Sequence, residues 1–341
     1  MYYHCCSLNM QSIIIIGTQR SGSNLLRLML NQHSQIAAPH PPHVMQTFMP
    51  LLPKYGDLNN SDSFIQLATD VCSFVMLNPV PWGFNYDAKT VAAKAKSHTL
   101  VGIYEVIYET YAAAQQKTFW CSKSMTNLYF IPQIRAAGVH PFYIHLIRDG
   151  RDVAASFRKA IVGEKHCYHI ARQWKEDQET AEKNCHEFAA DRYIPVMYEN
   201  LIRDPENTLR ILLHHMGLQF EATMLQYHQT NEAQKTAEAG KMWDNVRKPV
   251  MVTNSNKFLS QLSEEDVRIF ESVAGDVLQR HGYTPYFAPD KWIKQFSYEQ
   301  VAEFTAANEA MKAEAMKNFD PEGVKKREAQ DNLVKSIKSR S

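Results

Sequence analysis

Short hydrophobic runs alternate along the chain with segments whose hydrophobic residues recur at helical spacing. We predict strands where apolar residues predominate over a few positions, at residues 13–16, 117–121, 142–147 and 192–198. We predict helices at residues 23–31, over most of 61–116 with a break near 78–83, and at 150–160, 167–190, 205–216 and 263–281. Apolar strands without polar alternation are typical of a sheet covered on both faces, usually a parallel one. The pattern therefore predicts an α/β fold with three layers, in which helices flank a central parallel sheet.

Two regions depart from this alternation. Prolines and a glycine repeatedly interrupt residues 34–60, so we expect a long loop there. Residues 298–318 have a strongly helical pattern, and a polar, basic stretch follows from 321 to 341. We therefore predict a single domain over residues 1–290 and a helical C-terminal extension over residues 291–341 that ends in a solvated basic tail.

The composition narrows the choice of partners and compartment. The chain has 45% hydrophobic residues and a net charge of +1, so it has no general attraction for nucleic acid or for an anionic membrane. Six cysteines in 341 residues do not make a disulfide framework, which favours a reducing compartment. The apolar run at 13–16 is too short to span a bilayer, and the N-terminus has no signal-peptide pattern. We predict a cytoplasmic protein without a transmembrane segment, and the sequence allows a homo-oligomer.

The first predicted strand is followed by a turn that is suited to binding an anion. Gly17 and Gly22 have the spacing of the phosphate loop of nucleotide hydrolases and kinases, but Ser23 and Asn24 stand where that motif requires Lys and then Ser or Thr. A magnesium triphosphate needs that lysine and that hydroxyl. A terminal sulfuryl group carries less charge, and backbone N–H groups, serine hydroxyls and Arg20 can hold it without a metal.

A second turn of similar character follows the strand at 142–147. Arg148 stands at the end of that strand, and Ser156 lies eight residues further on, about two helical turns into the next helix. An arginine and a serine in this arrangement could bind one phosphate. Ligands of open parallel sheets lie beyond the carboxyl ends of the strands, so both turns are expected to face one crevice.

These two turns together resemble those of sulfotransferases that depend on 3′-phosphoadenosine-5′-phosphosulfate (PAPS), a family with a P-loop-like fold. The resemblance covers about residues 12–284 and includes the stretches 198–218 and 254–263. It implies PAPS as the co-substrate and a hydroxyl group as the acceptor, with no metal. It assigns the 5′-phosphosulfate to Arg20, Ser21, Gly22, Ser23 and Asn24, the 3′-phosphate to Arg148 and Ser156, and further nucleotide contacts to Asn254 and Lys257.

The same resemblance raises the question of which residue is the general base. Lys123 matches the family's active-site lysine, and Arg20 is the expected second cation for the charge on the leaving nucleotide. One branch of the family has a histidine two residues after that lysine, where this chain has Met125, and other branches have a glutamate in the loop after the first helix. That loop has no carboxylate here. We therefore expect His43, or else His40, to be the base, because an imidazole titrates near neutral pH.

Several alternatives stay open at this point. Glu105 is a more distant candidate for the base, and five aromatic residues could line an acceptor pocket or belong to the core: Trp82, Phe84, Tyr86, Tyr104 and Tyr108. The acceptor could be a small molecule, a lipid or a carbohydrate, and no nucleic acid is expected. The His166-Cys167-Tyr168-His169 stretch has no second ligand pair with zinc spacing. The rival functions are a P-loop-type kinase and a nucleotide-binding protein that has lost its chemistry.

Overall fold

All strands of the sheet run in the same direction, so their carboxyl ends lie at one edge of the sheet. The computed structural model describes residues 10–186, 188, 192–238, 240–317 and 321–340. Within these ranges five strands form one sheet in the order β2-β3-β1-β4-β5, and every pair of neighbours is parallel. The strands are β1 (Gln11–Ile16), β2 (Ile36–Ala37), β3 (Phe119–Ser122), β4 (Phe142–Ile147) and β5 (Tyr193–Met197). The predicted α/β fold with a central parallel sheet is confirmed.

Strand β1 shows why its sequence contains no polar residue between positions 13 and 16. Side chains alternate between the two faces of a strand. Ile14 and Ile16 belong to a core cluster on one face of the sheet, whereas Ile13 and Ile15 belong to a second cluster on the other face. All four isoleucines are fully buried. Because helices cover both faces, the central strand must be apolar at every position.

Helices connect the strands and form the outer layers. They are α1 (Ser23–Asn31), α2 (Val44–Phe48), α3 (Ser61–Met76), α4 (Ala88–Lys94), α5 (Leu100–Ala114), α6 (Ile131–Ala136), α7 (Gly150–Lys159), α8 (Cys167–Cys185), α9 (Tyr198–Arg203), α10 (Pro205–His214), α11 (Asn231–Glu238), α12 (Phe258–Gln261), α13 (Glu264–Arg280), α14 (Tyr298–Lys317) and α15 (Pro321–Lys338). Short 3₁₀ segments occur at Met49–Tyr55, Met125–Phe130, Ala222–Gln229, Lys241–Arg247 and Pro289–Lys291. Most predicted helices lie within a few residues of these bounds. Helix α13 begins with a capping box between Ser263 and Asp266, which fixes its start.

The prediction of a long loop at 34–60 is wrong. This segment contains β2, helix α2 and the 3₁₀ segment Met49–Tyr55. Pro50 lies in the first turn of the 3₁₀ segment, where a missing N–H costs nothing. The prolines therefore start short elements here as well as ending them, and the short strand and helix carry too few residues to show a periodicity.

The expectation of a solvated tail is also wrong for the described residues 321–340. They form helix α15, and Ile337 is fully buried in the core cluster that includes Ile14. Leu333 and Val334 pack against the same cluster. These three residues share one face of the helix, so a hydrophobic stripe was present within the basic sequence.

Four of the six cysteines lie in the described part of the chain. Cys72, Cys121, Cys167 and Cys185 are buried and form no disulfide, and Cys5 and Cys6 lie outside the described residues. Among the described helices, none combines the length and the hydrophobicity that crossing a bilayer requires.

Candidate active site

A cavity of about 970 Å³ opens where strands β1, β3 and β4 end and the following turns begin. The predicted site residues that line it are Arg20, Gly22, Ser23, Asn24, His43, Lys123, Arg148, Ser156, Asn254 and Lys257. Ser21 is buried beside them in the first turn without lining the cavity, and His40 does not line it. The structure therefore brings almost all of the predicted residues to one place.

The first anion-binding turn depends on two glycines with positive φ. Gly17 has φ of 130°, and a Cβ there would lie 2.5 Å from the carbonyl oxygen of Leu146. Gly22 has φ of 88°, and a Cβ there would lie 2.4 Å from the ring of Tyr198. No side chain caps helix α1, which begins directly after Gly22. Ser23 and Asn24, at the start of this nine-residue helix, line the cavity, where the helix N-terminus favours an anion.

The second turn is bonded to the first through Arg148. Its Nη1 donates to the carbonyl oxygen of Arg20 at 3.0 Å, and its Nη2 donates to the carbonyl oxygen of Asn254 at 2.9 Å. The guanidinium also lies over the ring of Tyr198, 4.5 Å from its centroid. Arg148 thus fixes the first turn, the late segment and its own turn relative to one another.

Arg20 makes a second connection between the two turns. Its Nε donates to Ser156 Oγ at 3.1 Å. Burial, together with the charge of Arg148, lowers the pKa of Arg20 to about 10, so it remains a cation at neutral pH. The half-buried Arg20 and the buried Arg148 are neighbouring cations that repel each other, and an anion bound beside both relieves that repulsion.

The late segment that carries Asn254 and Lys257 is held by Asp152. The Oδ1 atom of Asp152 accepts a hydrogen bond from the backbone N–H of Phe258 at 2.9 Å. Its Oδ2 atom lies 3.6 Å from Arg148 Nη2. This carboxylate therefore positions the segment beside the second turn, and burial raises the pKa of Asp152.

Lys123 follows β3 and is 7% exposed. Burial, together with the charges of Arg27 and Arg20, lowers the pKa of Lys123 to about 7. Arg27 was not predicted from the sequence, although it interrupts the apolar face of α1. It is fully buried, and its guanidinium donates to the carbonyl oxygen of Ala38 at 2.9 Å and to Thr236 Oγ1 at 2.8 Å. Lys123 is thus a cation whose charge is easily lost unless an anion is beside it.

The two candidate histidines occupy different environments. His43 lines the cavity, precedes α2 with φ of 60°, and has its Nδ1 3.3 Å from Ser124 Oγ. Burial, together with the charges of Lys123 and Arg327, lowers the pKa of His43 to about 3. His40 lies behind the cavity wall, with its Nδ1 3.2 Å from Asn78 Oδ1. Burial also lowers the pKa of His40. A ligand in the cavity can therefore contact His43, whereas His40 is buried and does not line the cavity.

The remaining candidates lie away from the cavity. Glu105, on α5, is paired with Lys96 at 3.1 Å and does not line it. The aromatic residues that could have formed an acceptor wall, Trp82, Phe84, Tyr86, Tyr104 and Tyr108, belong to the hydrophobic core or pack against it. His166 caps α8 by accepting from the N–H of Tyr168. Across the described ranges no group of three or more His, Cys, Asp or Glu residues is arranged to hold a metal ion.

Several cavity residues were missed because no motif marks them. They include Gln46, Trp243, Asn245, Val250, Met251 and Arg327. Arg327 belongs to α15, more than three hundred residues from the first turn. The tertiary fold alone brings these positions together.

A comparison with known families and proteins gives an independent result. The model of a family described as the sulfotransferase family matches residues 12–222 of this chain. Protein-tyrosine sulfotransferase 2 of Gallus gallus is 22% identical over 294 residues, which are 84% of this chain and 73% of that protein. Protein-tyrosine sulfotransferase 1 of Danio rerio is 23% identical over 292 residues, which are 83% of this chain and 75% of that protein.

Two solved structures have a similar fold. The sulfotransferase domain from the curacin biosynthetic pathway superimposes with a TM-score of 0.54 at 21% identity, covering 81% of this chain and 98% of that domain. The sulfotransferase domain of the Synechococcus PCC 7002 olefin synthase gives a TM-score of 0.50 at 21% identity, covering 77% and 94%. At this level of identity the likeness shows the fold.

Proposed function

This chain belongs to the sulfotransferase family, whose model matches more than half of it, and we propose that it transfers the sulfuryl group of PAPS to a hydroxyl group. It is thus an enzyme that moves sulfuryl groups, and the donor, the base and the acceptor class are our proposals. One observation carries the choice of donor. The two anion-binding turns are bonded to each other by Arg20 and Arg148 and line the same cavity, so one ligand with an anionic group at each end can contact both turns.

The polar atoms of the site suit this donor. Arg148 lines the cavity, and its buried Nε has no hydrogen-bond partner among the described residues. Buried donors of this kind are costly unless a ligand supplies an acceptor. We assign the 5′-phosphosulfate to the first turn from Arg20 to Asn24. We assign the 3′-phosphate to Arg148 and Ser156, with Asn254 and Lys257 beside the nucleotide.

His43 is our proposed general base. With a pKa well below neutrality its imidazole is uncharged and can accept a proton. Ser124 lies at Nδ1, which leaves Nε2 to receive the proton of the acceptor hydroxyl. The negative charge of the donor offsets the nearby Lys123 cation, and this raises the basicity of the imidazole when the donor is bound.

Transfer of the sulfuryl group requires one proton acceptor and cations at the leaving group. The acceptor oxygen loses its proton to His43 Nε2 and forms a bond to sulfur, while the bond between sulfur and the bridging phosphate oxygen breaks. The negative charge that grows on that bridging oxygen is neutralised by Lys123 and Arg20. Arg20 is held in place by its hydrogen bond to Ser156, and we expect most of the rate enhancement to come from orientation and charge.

We consider one more class of acceptor hydroxyl than the sequence suggested. Small-molecule, lipid and carbohydrate alcohols remain candidates. The relatives from Gallus gallus and Danio rerio are named protein-tyrosine sulfotransferases, so we add the phenolic hydroxyl of a tyrosine peptide to the set of acceptors to be tested.

Ligand-induced thermal stabilisation separates the proposal from its rivals. The product nucleotide 3′,5′-adenosine bisphosphate at about 100 times its dissociation constant should stabilise the protein by roughly 2.7 kcal/mol. ATP with magnesium is the matched comparison, and stabilisation by ATP alone would favour a kinase. Transfer of radiolabelled sulfate from PAPS to the acceptor panel completes the test. Stabilisation by the bisphosphate without transfer to any hydroxyl would favour a protein that has lost its chemistry.

A further inference from the structure

Helix α15 contributes a cation to the active-site cavity. We propose that Arg327 binds an anionic group of the acceptor, so that the enzyme selects hydroxyl compounds that carry a negative charge near the reacting oxygen. This proposal rests on the proposed function and extends it to the chemistry of the acceptor.

Contacts from Lys326 to Arg340 fix the position of α15. Near its C-terminal end, Arg340 forms an ion pair with the buried carboxylate of Asp70, and the Tyr55 hydroxyl donates to the same carboxylate at 2.8 Å. In its middle, Gln330 Nε2 donates to the carbonyl oxygen of Phe74 at 2.8 Å. One residue before Arg327, Lys326 Nζ donates to the carbonyl oxygen of Glu238 at 3.1 Å. The helix is therefore a packed part of the domain.

This docking brings Arg327 to the His43 side of the cavity. Helix α15 packs on α3 and on the 3₁₀ segment Met49–Tyr55, which follows α2 and therefore His43. Both Arg327 and His43 line the same cavity. The charge of Arg327 is close enough to lower the pKa of His43, in addition to the effects of burial and Lys123. Arg327 thus stands near the proposed base.

Among the described residues, no carboxylate is paired with Arg327. The described residues that line the cavity include one carboxylate, that of Asp152, and it already interacts with Arg148 and Phe258. Within the described part of the chain, no Asp or Glu forms an ion pair with Arg327. The donor groups are assigned to the cations of the two turns, so Arg327 is a further positive charge near the acceptor hydroxyl.

A guanidinium is well suited to a carboxylate or a phosphate, because its planar fork can donate two parallel hydrogen bonds. Arg327 is exposed, so water weakens the interaction until the acceptor covers it. We therefore expect a selectivity of about tenfold, as is typical of one hydrogen bond to a charged group.

Matched pairs of acceptors test this proposal. Each pair has one carboxylate and the corresponding amide: 4-hydroxyphenylacetate with 4-hydroxyphenylacetamide, and 3-hydroxybutyrate with 3-hydroxybutyramide. Thermal stabilisation of the protein saturated with 3′,5′-adenosine bisphosphate measures binding, and kcat/KM with PAPS measures transfer. In the wild type the carboxylate of at least one pair should be favoured about tenfold over its amide.

Three variants complete the design. In Arg327→Ala and Arg327→Gln the preference for the carboxylate over its amide should vanish. The readout is the ratio of the two kcat/KM values, because a change in the His43 pKa affects both members of a pair and cancels in that ratio. Lys325→Ala removes an exposed charge of the same helix that does not line the cavity, and it should keep the preference. Equal binding of carboxylate and amide by the wild type, or a preference that survives in both Arg327 variants, would overturn the role of Arg327 alone. Absence of stabilisation by the bisphosphate itself would overturn the proposed function and this inference together.

Discussion

The cavity has two ends that are built in different ways. The end that we assign to the donor consists of Arg20, Ser23, Asn24, Arg148 and Ser156, which lie on two strand-to-helix turns at neighbouring strands of the sheet. The end that we assign to the acceptor consists of His43, Gln46, Trp243 and Arg327, which come from three separate parts of the chain. The donor end follows from the topology of the sheet, whereas the acceptor end follows from packing between distant segments.

The two ends should therefore differ in how well they tolerate substitutions. At the donor end, hydrogen bonds cross from one turn to the other, so replacement of one side chain loosens both turns. At the acceptor end, Arg327 and Gln46 are exposed and the helix that carries Arg327 is anchored elsewhere. Such positions can change without disturbing the fold, which is how specificity diverges on a shared scaffold.

Replacement of His43 should give the largest effect and should leave the donor end intact. The variant His43→Asn is preferable to His43→Ala, because asparagine tolerates the left-handed backbone at this position. Without a proton acceptor, kcat should fall by roughly 10² to 10⁴. Isothermal titration should give an unchanged Kd for 3′,5′-adenosine bisphosphate.

His40 provides the control for that experiment. Its ring is buried against Asn78, so His40→Asn should lower the melting temperature and leave the kcat of the folded enzyme within a few-fold of the wild type. A large loss of kcat in the His40 variant, with little loss in the His43 variant, would move the base to His40.

Replacement of Arg148 should give the converse result. Arg148→Ala removes a cation from the donor end and releases the carbonyl oxygens of Arg20 and Asn254. We expect the Kd of the bisphosphate to rise by a factor on the order of 100. Arg268→Ala removes an exposed arginine that does not line the cavity and should leave the Kd unchanged. An unaltered Kd in Arg148→Ala would remove this residue from the donor end.

Lys123 lies between the two ends and should give the smallest signal. Its pKa of about 7 means that most molecules carry a neutral lysine at about pH 8. An anionic nucleotide raises that pKa, so binding should take up a proton at about pH 8 and almost none at about pH 6. Titration calorimetry in buffers of different ionisation enthalpy measures this uptake. The uptake should disappear in Lys123→Met, and its persistence there would assign the proton to another group.

The donor end could be predicted from the sequence for a physical reason. In a parallel sheet the carboxyl ends of β1 and β4 lie together, so turns that follow them must meet. The glycines at 17 and 22 and the polar residues from 20 to 24 lie in one short stretch of sequence. The arginine at 148 follows its strand directly. Local chemistry and sheet topology were enough to bring these residues into one site.

The acceptor end could not be predicted in the same way. His43 lies in a segment where prolines hide a short strand and a short helix, and the position of its ring depends on contacts with Ser124. Arg327 is one of many basic residues near the C-terminus, and nothing local distinguishes it from Lys325. Its place in the cavity depends on Ile337 in the core and on the ion pair between Arg340 and Asp70. Such long-range packing leaves no motif.

The hydrogen bond between Arg20 and Ser156 joins the two anion-binding turns to each other. Turns that are held together lose little entropy on binding, and under the proposed function they would contact the spent nucleotide at the same two anionic ends as the fresh donor. Affinity that is equal before and after transfer does not speed the chemical step. The enzyme should therefore be inhibited by its own by-product, and the departure of that nucleotide should set the pace of each cycle.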